Sequence, residues 1–209
     1  LYTVPRIFMG LLFLIDTFLV FMITHYCYNK NIAFVTGILF AITPMSWQLR
    51  RVVLESIQLP FLLSSILLIL IILKGTFSKT QIIRDILLLS SGILLSLAIF
   101  TKIPVFTLIP LILYMIIKFS NKIKKDNKYI LRNFSIWFIP IILIPSIWPI
   151  YALIINEFDD WIDGVIGQTV ERTRTLNIFE PFLKIDPLLF FIGLGGLILS
   201  LIRKDFFLI

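Results

Sequence analysis

The sequence predicts an all-α fold, a polytopic transmembrane helical bundle with about seven spans and one external amphipathic helix. Apolar residues make up 59% of the 209 residues and charged residues only 15%, whereas soluble domains carry about 25% charged residues. The mean hydropathy is +1.01, which means more apolar surface than a soluble core can bury. Apolar runs such as 62–73 match the stretches of roughly 20 residues that cross a hydrocarbon core of about 30 Å.

The apolar runs follow one another along the chain and are separated by short polar connections. Pro44 interrupts the second run, and Pro104 and Pro110 interrupt the fifth. We therefore expect kinks or partial re-entry in these two runs, where neighbouring protein can satisfy the freed backbone groups. We treat 1–209 as a single transmembrane domain with an external loop at 157–186. The predicted spans are 7–26, 32–48, 52–73, 86–101, 103–117, 134–155 and 187–202, and a further apolar run begins at 206.

Composition also excludes several kinds of site. The single cysteine, Cys27, cannot form an intrachain disulfide, and the single histidine, His25, excludes a multi-histidine metal site in this chain. The formal net charge is +7, but the Lys and Arg residues lie between apolar runs, as in the cytoplasmic loops of membrane proteins. We therefore predict that membrane lipid surrounds the chain and that the chain binds no nucleic acid.

The loop 118–132 carries the strongest positive charge in the chain, so we place it in the cytoplasm. Threading the spans alternately then puts Lys30, the connection 74–84 and the pair 203–204 on the same side. The loop 157–186 falls on the external side, and its excess of carboxylates agrees with that placement. The sequence thus predicts a multi-pass protein of the plasma membrane.

The same threading leaves four cations at the external ends of spans, against the usual bias. One explanation is an anionic ligand bound from outside, because Arg and Lys are the usual partners of phosphate. The alternative is that these long side chains snorkel to lipid headgroups. We favour the ligand for Arg50 and Lys102 and leave both explanations open. The four cations are Arg6, Arg50, Arg51 and Lys102.

Two carboxylates fall within predicted spans, where ionisable groups are costly and become functional candidates. Glu55 follows Arg51 by four residues, so the two would share a helix face and could form a purely structural pair. Asp16 lies deeper, in mid-span, without a cation nearby in the sequence. We expect Asp16 to face a polar cavity or to be protonated, and we assign it no catalytic role.

An amphipathic helix is predicted in the external loop, because apolar residues in 158–169 recur at three- and four-residue spacing. Carboxylates near its start suit the positive end of the helix dipole. Trp148, Tyr151 and Trp161 are typical of an aromatic belt at the membrane interface. We therefore expect this helix to lie on the outer membrane surface.

Several short motifs follow one another along the chain. In the stretch 50–56, Arg-Arg-Val-Val-Leu-Glu-Ser, an Arg stands five residues before an acidic residue. Val4-Pro5-Arg6 and Thr43-Pro44 precede it, and Phe100-Thr101-Lys102-Ile103-Pro104 and the segment 148–168 follow it. Taken in this order, they resemble helix starts and a loop of protein O-mannosyltransferases and their bacterial and archaeal relatives, which are glycosyltransferase family 39-like enzymes of the GT-C type.

The resemblance implies a membrane glycosyltransferase that moves a mannose-like hexose from a polyprenyl-phosphate carrier to a protein or glycolipid acceptor on the external face. It implies that Arg50 and Lys102 bind the carrier phosphate, with Arg6 and Arg51 in support. Glu55 would position these cations or touch the sugar, although many relatives have Asp at this place. The resemblance puts the family's acidic catalytic motif upstream of Leu1, so the catalytic residue is unknown and the chain is expected to be a fragment.

Other functions remain open at this point. A secondary transporter or lipid flippase would also have kinked spans and buried charges, but near the middle of the membrane. A non-catalytic subunit or channel would leave the charges as structural pairs. No cofactor is certain, and a requirement for a divalent metal is left open.

Overall fold

The computed structural model describes residues 3–74, 80–123, 126–173 and 186–203. Within these ranges every regular element is helical, which confirms the predicted all-α class. In chain order the elements are α1 (Thr3–Cys27), α2 (Lys30–Ile42), α3 (Pro44–Gln48), α4 (Leu54–Lys74), α5 (Gln81–Thr101), a 3-10 helix (Ile103–Leu108), α6 (Ile109–Ile123), α7 (Asn127–Leu143), α8 (Ile147–Ile154), α9 (Phe158–Thr173) and α10 (Pro187–Arg203).

Four helical segments of the described chain are long and apolar enough to cross a membrane. They are α1, α4, α5 and the segment Asn127–Ile154, which joins α7 to α8. The second and fifth predicted spans form shorter apolar helices, Lys30–Ile42 and Ile103–Lys118. The integral membrane architecture is thus confirmed, while the count of seven spans stays a prediction.

The predicted interruptions at Pro44 and beside Pro104 are present in the structure, whereas the chain stays helical through Pro110. Thr43 is extended, with φ −63° and ψ 138°, so α2 ends before Pro44 opens α3, because the residue before a proline avoids helical backbone. Lys102 is also extended, and the 3-10 helix containing Pro104 follows it. Pro110 lies in the first turn of α6, where its missing N–H removes no helical hydrogen bond. These breaks explain why the second and fifth runs are short.

The buried core lies where α4, α5, α6 and α7 pack together. A buried hydrogen-bonded pair joins α4 to α5 at its centre: the Ser65 hydroxyl lies 2.9 Å from both the hydroxyl and the carbonyl oxygen of Ser91. α5 and α7 contact each other closely at Gly92, where an added Cβ would lie 2.3 Å from the Trp137 carbonyl oxygen. The apolar centre of the core consists of Ile69, Ile72, Leu88, Leu95, Ala98, Ile99, Val105, Ile112, Ile116, Trp137 and Ile141.

The predicted amphipathic helix is present as α9, which begins at Phe158 as expected and extends to Thr173. The Phe158 and Trp161 rings stack with their centroids 5.7 Å apart. Asp159 and Asp160 are exposed in its first turn. Its location on the outer membrane surface stays a prediction.

Candidate functional site

The five sequence-predicted site residues lie at the same end of the bundle. α1 and α4 begin at this end, so it receives Arg6 and Glu55. α3 and α5 end here, which adds Arg50, Arg51 and Lys102. The antiparallel pairing of α4 with α5, fixed by the serine pair in their middle, supports this placement.

Lys102 and Glu55 form an ion pair that joins the break after α5 to the first turn of α4. The Lys102 ammonium group donates to a Glu55 carboxylate oxygen. The Gln58 side-chain amide also donates to the Lys102 carbonyl oxygen at 3.4 Å, so α4 holds both the side chain and the backbone of Lys102. The ion pair is open to a ligand, because the side-chain exposures of Lys102 and Glu55 are 25% and 49%.

The proposed Arg51 to Glu55 pairing rested on a shared helix face, and that premise is wrong. α4 begins at Leu54, so Arg51 lies in the preceding turn rather than on the helix. Its carbonyl oxygen accepts hydrogen bonds from the Val53 N–H at 2.9 Å and from the Ser56 hydroxyl at 3.0 Å. Arg51 therefore caps the start of α4 with its backbone and leaves its side chain exposed.

Arg50 is held by aromatic rings from two helices. Its guanidinium carbon lies 4.5 Å from the centroid of Phe13 in α1 and 5.4 Å from that of Trp47 in α3. The guanidinium also donates to the Ala41 carbonyl oxygen at 3.3 Å, and Phe13 in turn stacks on Phe40 of α2. Arg50 thus fastens three helices together, and its cationic group stays at the surface.

A cavity of about 740 Å³ adjoins the ion pair. Side chains of α1, α2, α3, the start of α4 and α10 surround it. Its lining is mainly apolar in the interior, with charge contributed by Arg51 and Glu55. A cavity of this size with one charged border suits an amphiphilic ligand. It is lined by Val20, Thr36, Leu39, Phe40, Thr43, Ser46, Leu49, Arg51, Val53, Glu55 and Ile192.

A second cavity, of about 340 Å³, lies next to the break after α5. Phe100 and Ile103, the sequence neighbours of Lys102, line this cavity, whereas its ion-pair partner Glu55 lines the first. The second cavity is almost entirely apolar and aromatic. Trp148 and Trp161, predicted only as interfacial anchors, line it together with Ile99, Ile141, Ile142, Pro145, Ser146 and Pro149.

Two predicted residues stay outside this arrangement. Arg6 is exposed in the first turn of α1 and lines neither cavity. Asp16 is fully buried in α1, and neither of its carboxylate oxygens has a hydrogen-bond partner among the described residues. Asp16 lines neither of these two cavities, and both expectations for it, a polar cavity or protonation, stay predictions.

The part of the chain that the structure describes offers no ready metal site. No three His, Cys, Asp or Glu side chains among those residues lie close enough together to hold a metal ion. The divalent metal left open by the sequence therefore has no ligand set in the described segments.

Comparison with known proteins agrees with the resemblance of the motifs. The family model described as dolichyl-phosphate-mannose-protein mannosyltransferase matches residues 3–148, which is more than half of the chain. The match includes Arg6, Arg50, Glu55 and Lys102, and it ends before α9. No curated protein and no solved structure shows a significant match to the chain.

Proposed function

Because the chain belongs to the dolichyl-phosphate-mannose-protein mannosyltransferase family, we propose that it transfers a mannose-like hexose from a polyprenyl-phosphate carrier to a protein or glycolipid acceptor. Membership of this family and the long apolar helices identify an integral membrane glycosyltransferase. The observation that supports a lipid-linked donor is the Lys102–Glu55 ion pair at the border of the 740 Å³ cavity.

The cavity and its border suit the two chemical parts of a lipid-linked sugar. The apolar interior matches an isoprenoid chain, which gains free energy when its surface leaves water. The Lys102 ammonium group and the Arg51 guanidinium group at the border match the phosphate. Lys102 can exchange Glu55 for a phosphate oxygen at little cost, because partly exposed ion pairs contribute only about 0–1 kcal/mol.

The proposed reaction is a displacement at the anomeric carbon. The acceptor oxygen forms a bond to that carbon while the bond from carbon to the phosphate oxygen breaks. The phosphate leaves with the bonding electrons, and the acceptor hydroxyl gives up its proton to a base. Cations placed at the leaving oxygen stabilise the negative charge that develops there. We assign this role to Lys102, with Arg51 in support, and we assign no base within the described residues.

Arg50 and Arg6 take supporting roles in this proposal. Arg50 fixes α1 and α3, which form two walls of the cavity, and its exposed guanidinium group stays available to the phosphate. Arg6 adds positive charge at the same end of the bundle, where it favours the approach of an anionic donor. Glu55 positions Lys102 and comes close to the sugar once the phosphate has taken its place.

We also propose that the site faces the outside of the plasma membrane. The support is the charge distribution, because the opposite end of the bundle carries Lys30, Lys74, Arg84, Lys118 and Lys128. Cytoplasmic loops of membrane proteins usually carry such an excess of Lys and Arg. The cavities would then open toward external acceptors.

The experiment that tests this function is a transfer assay on the native full-length protein in detergent. Polyprenyl-phosphate-linked mannose is supplied with an acceptor, and labelled product is measured against a sugar nucleotide as the control donor. We expect product only from the lipid-linked sugar. Detergent removes the two compartments that a transporter or flippase needs, so transfer in detergent excludes that alternative, whereas absence of transfer from every lipid-linked hexose would contradict the proposal.

A further inference from the structure

The 340 Å³ cavity next to the break after α5 has uncharged walls. Its size lies within the range of about 300–1,000 Å³ that is typical of ligand pockets. Phe100 and Trp148 line it and pack edge to face, with their ring centroids 5.4 Å apart. None of the lining side chains that the structure describes is charged, and the Ser146 hydroxyl among them already donates to the Ile142 carbonyl oxygen. These walls suit a neutral and mainly apolar occupant.

Trp161 of α9 brings a hydrogen-bond donor to this cavity. Its side chain lines the cavity, and its Nε1–H is buried without a hydrogen-bond partner among the described residues. Buried polar groups in proteins are nearly always paired. An occupant that carries an oxygen atom beside its apolar group can supply the missing partner. The cavity therefore favours a ligand that has both parts.

The turn between α8 and α9 determines which residue of α9 reaches the cavity. Asn156 in this turn has φ 58°, the left-handed conformation that Asn can adopt just after the end of a helix. The Asn156 N–H donates to the Leu153 carbonyl oxygen at 3.3 Å, and the Glu157 N–H donates to that of Ala152 at 2.9 Å. This pair of hydrogen bonds is the Schellman pattern of helix ends. The capped turn thus fixes how α9 leaves α8, and with it the position of Trp161.

The cavity lies close to the proposed transfer site. Phe100 and Ile103 line it, and in the sequence they stand two residues before and one residue after Lys102, the cation assigned to the leaving phosphate. Resting on the proposed function, we propose that this cavity binds an apolar side chain of a polypeptide acceptor. The Trp161 N–H then donates to a main-chain carbonyl oxygen of the same polypeptide. The inference makes protein, rather than glycolipid, the acceptor.

The chemistry of the walls favours a peptide over other occupants. A lipid acceptor that carries phosphate calls for cations, and the described lining of this cavity supplies none. A sugar calls for several hydrogen-bond partners, whereas Trp161 offers one donor. A hydrocarbon chain fits the apolar walls but leaves that donor unpaired. An apolar residue of a polypeptide matches both features, because its side chain leaves water and its backbone supplies a carbonyl oxygen.

A transfer assay on the native full-length protein in detergent, with polyprenyl-phosphate-linked mannose as donor, tests this site. The acceptors are two peptides with a single threonine, which is flanked by leucine in one and by glycine in the other. We expect an acceptor KM at least about ten-fold lower for the leucine peptide. Trp161→Phe keeps an aromatic ring but removes the N–H, so it should raise the acceptor KM about five-fold and leave the donor KM unchanged. Tyr151→Phe is the matched control, because it alters an exposed ring of α8 outside the cavity lining.

Three results would overturn the inference. The first is an equal KM for the two peptides, which would leave the cavity to lipid chains. The second is an acceptor KM in Trp161→Phe no higher than in Tyr151→Phe. The third is transfer to a glycolipid but to neither peptide.

A complete absence of transfer would contradict the proposed function instead, and photo-crosslinking then decides the role of the cavity. A leucine peptide that carries a diazirine in its leucine side chain should label the residues that line the cavity. Labelling elsewhere, or equal labelling by a diazirine placed at the glycine peptide's terminus, would overturn the inference even without turnover.

Discussion

Lys102 and Glu55 lie 47 residues apart in the sequence, yet their side chains form an ion pair between the break after α5 and the start of α4. Glu55 lines a cavity of about 740 Å³, and Phe100 and Ile103, the sequence neighbours of Lys102, line one of about 340 Å³. Such a position suits a group that must bind a donor and stay close to an acceptor. The larger cavity supplies room for an amphiphilic donor, and the smaller one supplies an aromatic wall near the same cation.

Glu55→Gln tests whether the pair positions Lys102 or merely stabilises the fold. The free energy of unfolding should change by less than about 1 kcal/mol, because both side chains are partly exposed. Turnover should fall by roughly ten-fold to a hundred-fold, because misplaced groups slow transfer strongly. Thermal unfolding and transfer rates, measured on the same preparation, separate the two effects. Equal turnover in variant and wild type would contradict the role of Glu55 in positioning Lys102.

Arg50→Lys tests the aromatic clamp on the guanidinium group. The variant keeps the charge but loses the planar group that stacks on Phe13 and Trp47. We expect the free energy of unfolding to fall by about 0.5–1 kcal/mol, as measured by thermal unfolding in detergent. Arg6→Lys is the control at the same end of the bundle and should unfold like wild type. Equal stability of the Arg50 variant would contradict the clamp.

Gly92→Ala tests the close contact between α5 and α7. Its Cβ would lie 2.3 Å from the Trp137 carbonyl oxygen and 2.8 Å from the Pro140 ring, so the two helices would have to move apart. We expect a loss of about 1–3 kcal/mol in the free energy of unfolding. Gly10→Ala is the matched control, because nothing lies within 4 Å of its added Cβ. If both variants unfold alike, the helices are not in this contact.

Asp16→Leu tests the fully buried carboxyl group of α1. Both oxygens lack a hydrogen-bond partner among the described residues, and such a group costs roughly 1–3 kcal/mol when buried. An apolar residue of similar size should therefore raise the unfolding temperature and leave transfer unchanged. A lower unfolding temperature would indicate that the carboxyl group has a stabilising partner in the native protein.

Much of the helical framework could be predicted from hydropathy and proline placement. The long apolar runs became α1, α4 and α5. One break fell before Pro44, because a proline disfavours helical backbone in the residue before it, and another fell at Lys102, two residues before Pro104. The number of spans could not be settled in this way. Hydropathy does not measure how far a proline shortens a helix, and the second and fifth runs ended as short helices.

The candidate site could be predicted in its location but not in its contacts. Alternation of the spans brought Arg50, Glu55 and Lys102 to one end, which the structure also shows. Local spacing suggested Arg51 as a partner of Glu55 but gave no indication of Lys102, which only the packing of α4 on α5 brings close. The stack of Arg50 on Phe13 likewise depends on tertiary packing. Neither cavity leaves a periodic signal in the sequence.

The measurement that tests the central claim most directly is the turnover of Lys102→Gln with polyprenyl-phosphate-linked mannose, compared with Lys30→Gln. Lys102→Gln removes the cation assigned to the leaving phosphate, so we expect a loss of at least about a hundred-fold with a nearly unchanged unfolding temperature. Lys30→Gln removes an exposed cation at the opposite end of the bundle and should retain wild-type turnover. Wild-type turnover in Lys102→Gln would contradict the assigned role of this site.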